Sequence, residues 1–240
     1  MDGAMKKLAL QGQAGGWQQL RTMPCLGRRL AAVVLGNLLM GLAVTLLRMS
    51  RFGNDPFSCM NLGYSLFTQN SFGFCMILCN GVLVLFVLRL ARSYIHVGTL
   101  VNMFLIGILS DAFYVQLTAL WGSPESYLLC FRSVLLVIGV LLSCYGCSAY
   151  SCAELGLGPY DAIGWIVERR SQGRLSFRYF RIAMDTVASG IGFILGSIVG
   201  PGTIIMALCT GPLIAFFNEK INRPLLYGGQ ETAEPVRVTR

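Results

Sequence analysis

Residues 186–218 form a run of 33 without one charged side chain. As a single helix rising ~1.5 Å per residue, that run would reach about 50 Å, far more than the ~30 Å hydrocarbon core of a bilayer. Gly200, Pro201 and Gly202 stand in its middle, where a regular helix cannot continue cheaply. The run therefore reads as two membrane spans, about 179–199 and 203–217, joined by a tight turn. Four further apolar blocks precede it, at about 30–47, 71–88, 98–120 and 133–153, the third interrupted by Asp111. Six spans are expected.

Composition agrees, because charged residues make up only 12% of the chain against about 25% in a soluble domain. Hydrophobic residues reach 55% and mean hydropathy is +0.63. The net charge of +8 does not point to nucleic acid, since the basic residues lie between apolar blocks or near the ends. Counted by segment, 16 Lys and Arg fall before span one, after spans two and four, and in the tail, whereas only Arg48, Arg51 and Arg132 fall on the other side. By the positive-inside rule, both termini are expected in the cytoplasm. No continuous apolar stretch precedes residue 30, so a cleaved signal peptide is not expected.

Nine cysteines are present, most inside apolar blocks, including Cys75 and Cys79 and the Cys144, Cys147 pair. No second pair or neighbouring histidine completes a metal set. They read as buried thiols, and the single histidine, His96, as a solvated loop residue. No cofactor is expected. Nor is an enzyme, since no nucleophile elbow, histidine cluster or phosphate-binding glycine loop occurs.

The chain also repeats itself at a spacing of 103 to 104 residues. Gly53 matches Gly156, and Pro56, Phe57 and Ser58 match Pro159, Tyr160 and Asp161, while Arg51 falls opposite Glu154. Gly98 and Thr99 match Gly202 and Thr203. Each half then holds three spans and one short helix opened by proline, after Asp55 in the first half and Gly158 in the second. An odd number of crossings inverts the second half, an arrangement found in secondary transporters. The alternative is four full crossings per half and parallel repeats. The Pro-led helices rest on the membrane surface or form broken elements lining a path. In this reading the chain divides into a segment 1–29, membrane repeats 30–122 and 123–219, and a tail 220–240. The fold class is all-α, polytopic, with about six membrane helices in two inverted three-helix repeats.

The segment ELGLGPYDAIGWIVERRSQG at 154–173, followed by GPGTIIMALCTGP at 200–212, resembles the YczE/YyaS/YitT group of bacterial membrane proteins. Gly156, Pro159, Tyr160 and Asp161 fall on that group's Gly-x-x-Pro-aromatic-Asp motif, and Gly200, Gly202 and Thr203 on its later Gly-x-Gly-Thr. The first half is degenerate, with Ser58 in place of the Asp. The likeness covers about residues 28–225. It implies a multi-spanning protein of the bacterial inner membrane and, as an expectation, transport; it names no substrate.

Ionisable groups inside spans are costly and draw attention as functional candidates. Asp111, read as near mid-membrane, is expected either on a substrate or ion path or as a structural hydrogen-bond partner. Asp185 can meet Arg181 one turn earlier. Arg48 can snorkel to headgroups or meet an anion. Asn37, Asn80 and Asn102 can bond between helices or line a polar cavity. The candidate path comprises Asp111, Asn102, Asp55, Pro56, Arg51, Glu154, Pro159, Tyr160, Asp161, Gly202 and Thr203. The expected function is a small secondary transporter or permease, the alternative being a non-transporting accessory or scaffold protein that binds another envelope protein. Expected partners are membrane lipids, an unidentified small molecule or ion, and a second copy or another membrane protein, with no nucleic acid.

Overall fold

In the computed structural model, residues 26–91, 95–172 and 174–227 are described, and among them every regular element is helical. Four helices make up the first half: α1 (Leu26–Ser50), α2 (Pro56–Thr68), α3 (Phe72–Leu90) and α4 (Val97–Trp121). A short 3-10 turn, Pro124–Ser126, leads to α5 (Leu129–Cys152), α6 (Pro159–Arg170), α7 (Phe177–Ile194) and α8 (Pro201–Phe217). A π-helical turn, Asn218–Asn222, continues α8 into α9 (Arg223–Tyr227). The expected segment before residue 26, Arg92, Gly173 and the tail beyond Tyr227 lie outside the described residues.

Five of the described helices are long and apolar enough to cross a membrane: α1, α3, α4, α5, and α8 with its continuation. The protein is therefore an all-α, multi-pass membrane protein. The expected fifth span corresponds to α7, whose 18 residues include Arg178, Arg181 and Asp185 and fall short of that apolarity. It also stops at Ile194 instead of near 199, because Gly196 turns the chain at φ +92°. Asp111 does not interrupt α4, which passes through it unbroken. Outward-facing Leu78, Val82, Leu85, Val115, Leu120 and Leu208 are 58–75% exposed. In water such a surface would aggregate; in hydrocarbon it is at home.

The centre is an antiparallel pair, α1 against α5 along their length, with α4 laid on α1 and α8 on α5. More than half of the apolar stretch of α1 is buried (56%), against 22–33% for the other spans. Gly36 and Gly146 let the two backbones approach closely, since a Cβ on either would lie 2.7 Å from the other's carbonyl oxygen. Gly36→Leu should therefore cost more than about 3 kcal/mol by overpacking against backbone that cannot yield. Melting in detergent checks this against Gly27→Leu, a position with nothing within 4 Å, which should melt like the parent.

Contacts recur in pairs at the spacing seen in the sequence. The Gly202 N–H donates to Phe52 O at 2.8 Å, and the Gly98 N–H to Leu155 O at 3.0 Å. Gly53 and Gly156 carry φ of +104° and +129° and press against Thr203 and Thr99, so only glycine suits either turn. The left-handed residues Arg51 and Glu154 share this spacing, as do Gln69 and Gln172. Helix α2 lies on α7, with Cys59 and Gly63 against Gly192, and α6 lies on α3, with Ala162 and Ile166 near Val87.

Candidate functional site

Both Pro-led helices start where local chemistry places them. The Asp55 side chain caps α2 by accepting from the Ser58 N–H at 3.0 Å, with Pro56 at the first helical position, and Pro159 follows Gly158 in the same way. Their location follows from the antiparallel α1/α5 pair. The two helices end on opposite faces, about 37 Å apart for 25 residues, with Ser50 beside Arg132 at one end and Ala153 beside Arg29 at the other. Yet the rings of Phe57 and Tyr160 meet at 4.9 Å. Each connection of five or six residues spans at most about 20 Å. Both must therefore fold back into the bundle, and neither short helix begins on an outer surface.

At their meeting point four elements converge on one charged cluster. Arg181, on α7, donates through Nε to both oxygens of Asp185 at 3.1 and 3.2 Å, and through Nη1 to Asp161 on α6. Its guanidinium also lies 4.9 Å over the Tyr160 ring, a favourable cation–π geometry. The Tyr160 hydroxyl donates to Asp185 at 2.8 Å. Burial pushes the Asp55 carboxyl up, partly offset by its bond from Ser58, and it lies in reach of both Asp185 and Arg181. The Tyr160 phenol is raised too, by burial and by Asp185, and stays protonated as a donor. Asn102 borders the cluster: a Cβ on Gly158 would be 4.0 Å from its Oδ1 and 3.8 Å from Asp161 Oδ2. It donates to Asn37 Oδ1 at 2.9 Å. Arg181, Asp161 and Asp185 keep 34, 27 and 20% of their side-chain surface exposed, so the cluster is reachable as well as central.

Of the expected path residues, Asp55, Pro56, Asn102, Pro159, Tyr160 and Asp161 come together here. The others do not. Asp111 pairs with Arg48 at 3.1 Å and accepts from the Gly73 N–H at 2.6 Å. It stands level with the last turn of α1 and the first turn of α3, not midway through the bundle, and ties those helices to α4. Arg48 is thus not a snorkelling residue; it lies 13% exposed between the rings of Phe72 and Tyr114. Arg51 makes a surface pair with Glu125 at 2.9 Å, and Glu154 pairs with Arg29 at 3.5 Å. Gly202 and Thr203 pack against Phe52 and Gly53 as the start of α8. His96 is half-buried at the N-terminus of α4 instead of solvated.

Arg181, Asp185 and Phe57 were not among the expected path residues. Arg181 and Asp185 do form the expected one-turn pair, but that local explanation concealed their approach to Tyr160 and Asp161. The signal was present: Arg178, Arg181 and Asp185 share one face of an otherwise apolar helix. Cys144 packs among Leu47, Val140 and Met206, while Cys147 lies in electrostatic reach of Arg181 and Asp55; both thiols are free. Among the described residues no group of histidine, cysteine and acidic side chains could hold a metal.

An uncharacterized protein of Haemophilus influenzae is 28% identical over 185 residues, covering 77% of this chain and 81% of its own. The uncharacterized membrane protein YczE of Bacillus subtilis is 29% identical over 157 residues, 64% of this chain and 68% of its own. No solved structure matches the chain. Residues 27–219, which include both Pro-led helices and the whole cluster, match a family of unknown function, DUF6198. With YczE among its relatives, as the resemblance implied, the chain belongs to that family.

Proposed function

We propose that the protein is a small secondary transporter or permease of the bacterial inner membrane, not an enzyme, that carries small cationic solutes through the cluster around Arg181. The observation that carries this reading is the convergence of two folded-back Pro-led helices, one from each half, on reachable charged side chains. Three carboxylates, Asp55, Asp161 and Asp185, face one guanidinium. That leaves surplus negative charge for a cation, and the rings of Phe57 and Tyr160 offer it a π surface. Asp55, whose carboxyl is raised by burial, is the group best placed to exchange a proton for it.

The mechanism is alternating exposure of this site by rocking of two inverted halves, with α7 as the sixth span. The paired contacts of Gly53 with Thr203 and Gly156 with Thr99 support the inversion, and the 16 to 3 division of basic residues supports cytoplasmic termini. Reporter fusions after Asn70 and after Gln172 should then report opposite faces; the same face from both would sink the inversion. Purified protein in liposomes should take up members of a panel of guanidinium compounds, primary amines and quaternary ammonium ions, and Asp185→Asn should abolish that uptake. A protein that moves none of them, or moves them equally well in Asp185→Asn, would return the chain to the accessory-protein reading.

A further inference from the structure

We propose that Arg29 and Arg132 are matched latches, one at each end of the central α1/α5 pair, which release in turn to expose the site to opposite faces. This rests on the transport reading above. Arg29, in the first turn of α1, donates through Nη1 to Ala153 O at 3.3 Å, just past the end of α5. Arg132, in the first turn of α5, donates through Nε to Ser50 O at 2.8 Å, at the end of α1. The residues correspond by the same spacing of 103, donor to donor and acceptor to acceptor. Each guanidinium also stacks on an aromatic ring, Arg29 over Tyr227 and Arg132 over Phe52, at 5.0 Å in both cases.

The physical logic is that a helix ends in carbonyls without partners and with partial negative charge. In an antiparallel pair those ends lie on opposite faces, beside the first turn of the other helix. A cation in each first turn therefore grips the other half. While both hold, the ends of α1 and α5 cannot part on either face. When one lets go, the Gly36 and Gly146 crossing remains as the fulcrum and the other end stays shut.

The latches are unequal, and here the opposite charges at matched positions 51 and 154 acquire a role. Beside Arg29 stands Glu154, whose carboxylate lies 3.5 Å from the guanidinium. Beside Arg132 stands another cation, Arg51, which offers only its backbone oxygen at 3.3 Å and turns its side chain away to Glu125. The Arg29 latch is an ion pair; the Arg132 latch has carbonyls and a ring. Arg132 is the one that opens first, so the resting protein favours exposure toward the face where Arg132 lies.

The test is sided labelling of Cys147, which lies in electrostatic reach of Arg181 and Asp55, kept as the one cysteine of the full chain. Right-side-out and inverted vesicles are treated with a membrane-impermeant maleimide. Arg132→Met should raise labelling at least about fivefold from one face alone, the effect of one charge-assisted hydrogen bond on a two-state population. Arg29→Met should raise it from the opposite face. Glu154→Gln, which removes charge with almost no change of shape, should act in the direction of Arg29→Met and keeps the test alive if either methionine variant folds poorly. Labelling that rises from the same face in all variants, or does not change in folded protein, would overturn the latches while leaving the transport reading to the uptake panel. Absence of uptake with sided labelling would instead sink the transport reading and leave the two-ended opening in place.

Discussion

Arg181→Leu should cost the folded protein about 3 kcal/mol at neutral pH, the low end for breaking an internal ion pair because the three side chains remain partly exposed. The loss arises because Asp161 and Asp185 then face each other and Asp55 without a cation. In melting of the variant in detergent, Asp161→Asn with Asp185→Asn in the same chain should restore most of the loss. A deficit that persists in the triple variant would mean that Arg181 acts through packing and not through charge.

Asp111→Leu should be the more damaging change, by about 3 to 5 kcal/mol. It leaves Arg48 buried without an anion and the Gly73 N–H without an acceptor. Adding Arg48→Met should recover most of the loss, because a pair of apolar groups has no charge to satisfy. Asp111→Asn should fold and take up cations like the parent, since Asp111 joins α1, α3 and α4 and stands apart from the cluster around Arg181. The measurement is a double-mutant cycle of melting with uptake per folded protein. Uptake lost in a stable Asp111→Asn variant would place Asp111 back on the path.

Much of the fold was legible because the relevant rules act over a few residues. Charge-free runs marked the spans, and proline after Asp55 or Gly158 marked the starts of α2 and α6 to the residue. The spacing of 103 to 104 residues was visible at Gly53 with Gly156 and Gly98 with Gly202, whereas Arg29 with Arg132 and Gln69 with Gln172 are single residues at a long spacing and carry little weight by themselves. Tyr160 and Asp161 of the motif at 159–161, expected on the path, meet Asp185 and Arg181 in the structure. Asp111 takes the structural one of its two expected roles, because the first turn of α3 begins level with it and reaches it with a backbone N–H, while Arg48 reaches it from α1.

What sequence alone determined was the helical class, the membrane setting and the starts of the two Pro-led helices. Only the tertiary structure decided which charge meets which: Arg48 reaches across 63 residues to Asp111, and Arg181 reaches Asp161 and Tyr160 from another helix. Periodicity and capping depend on neighbours in the chain. Ion pairing inside a bundle depends on the distance between helices, and that distance is set where side chains are smallest, at crossings such as Gly36 on Gly146.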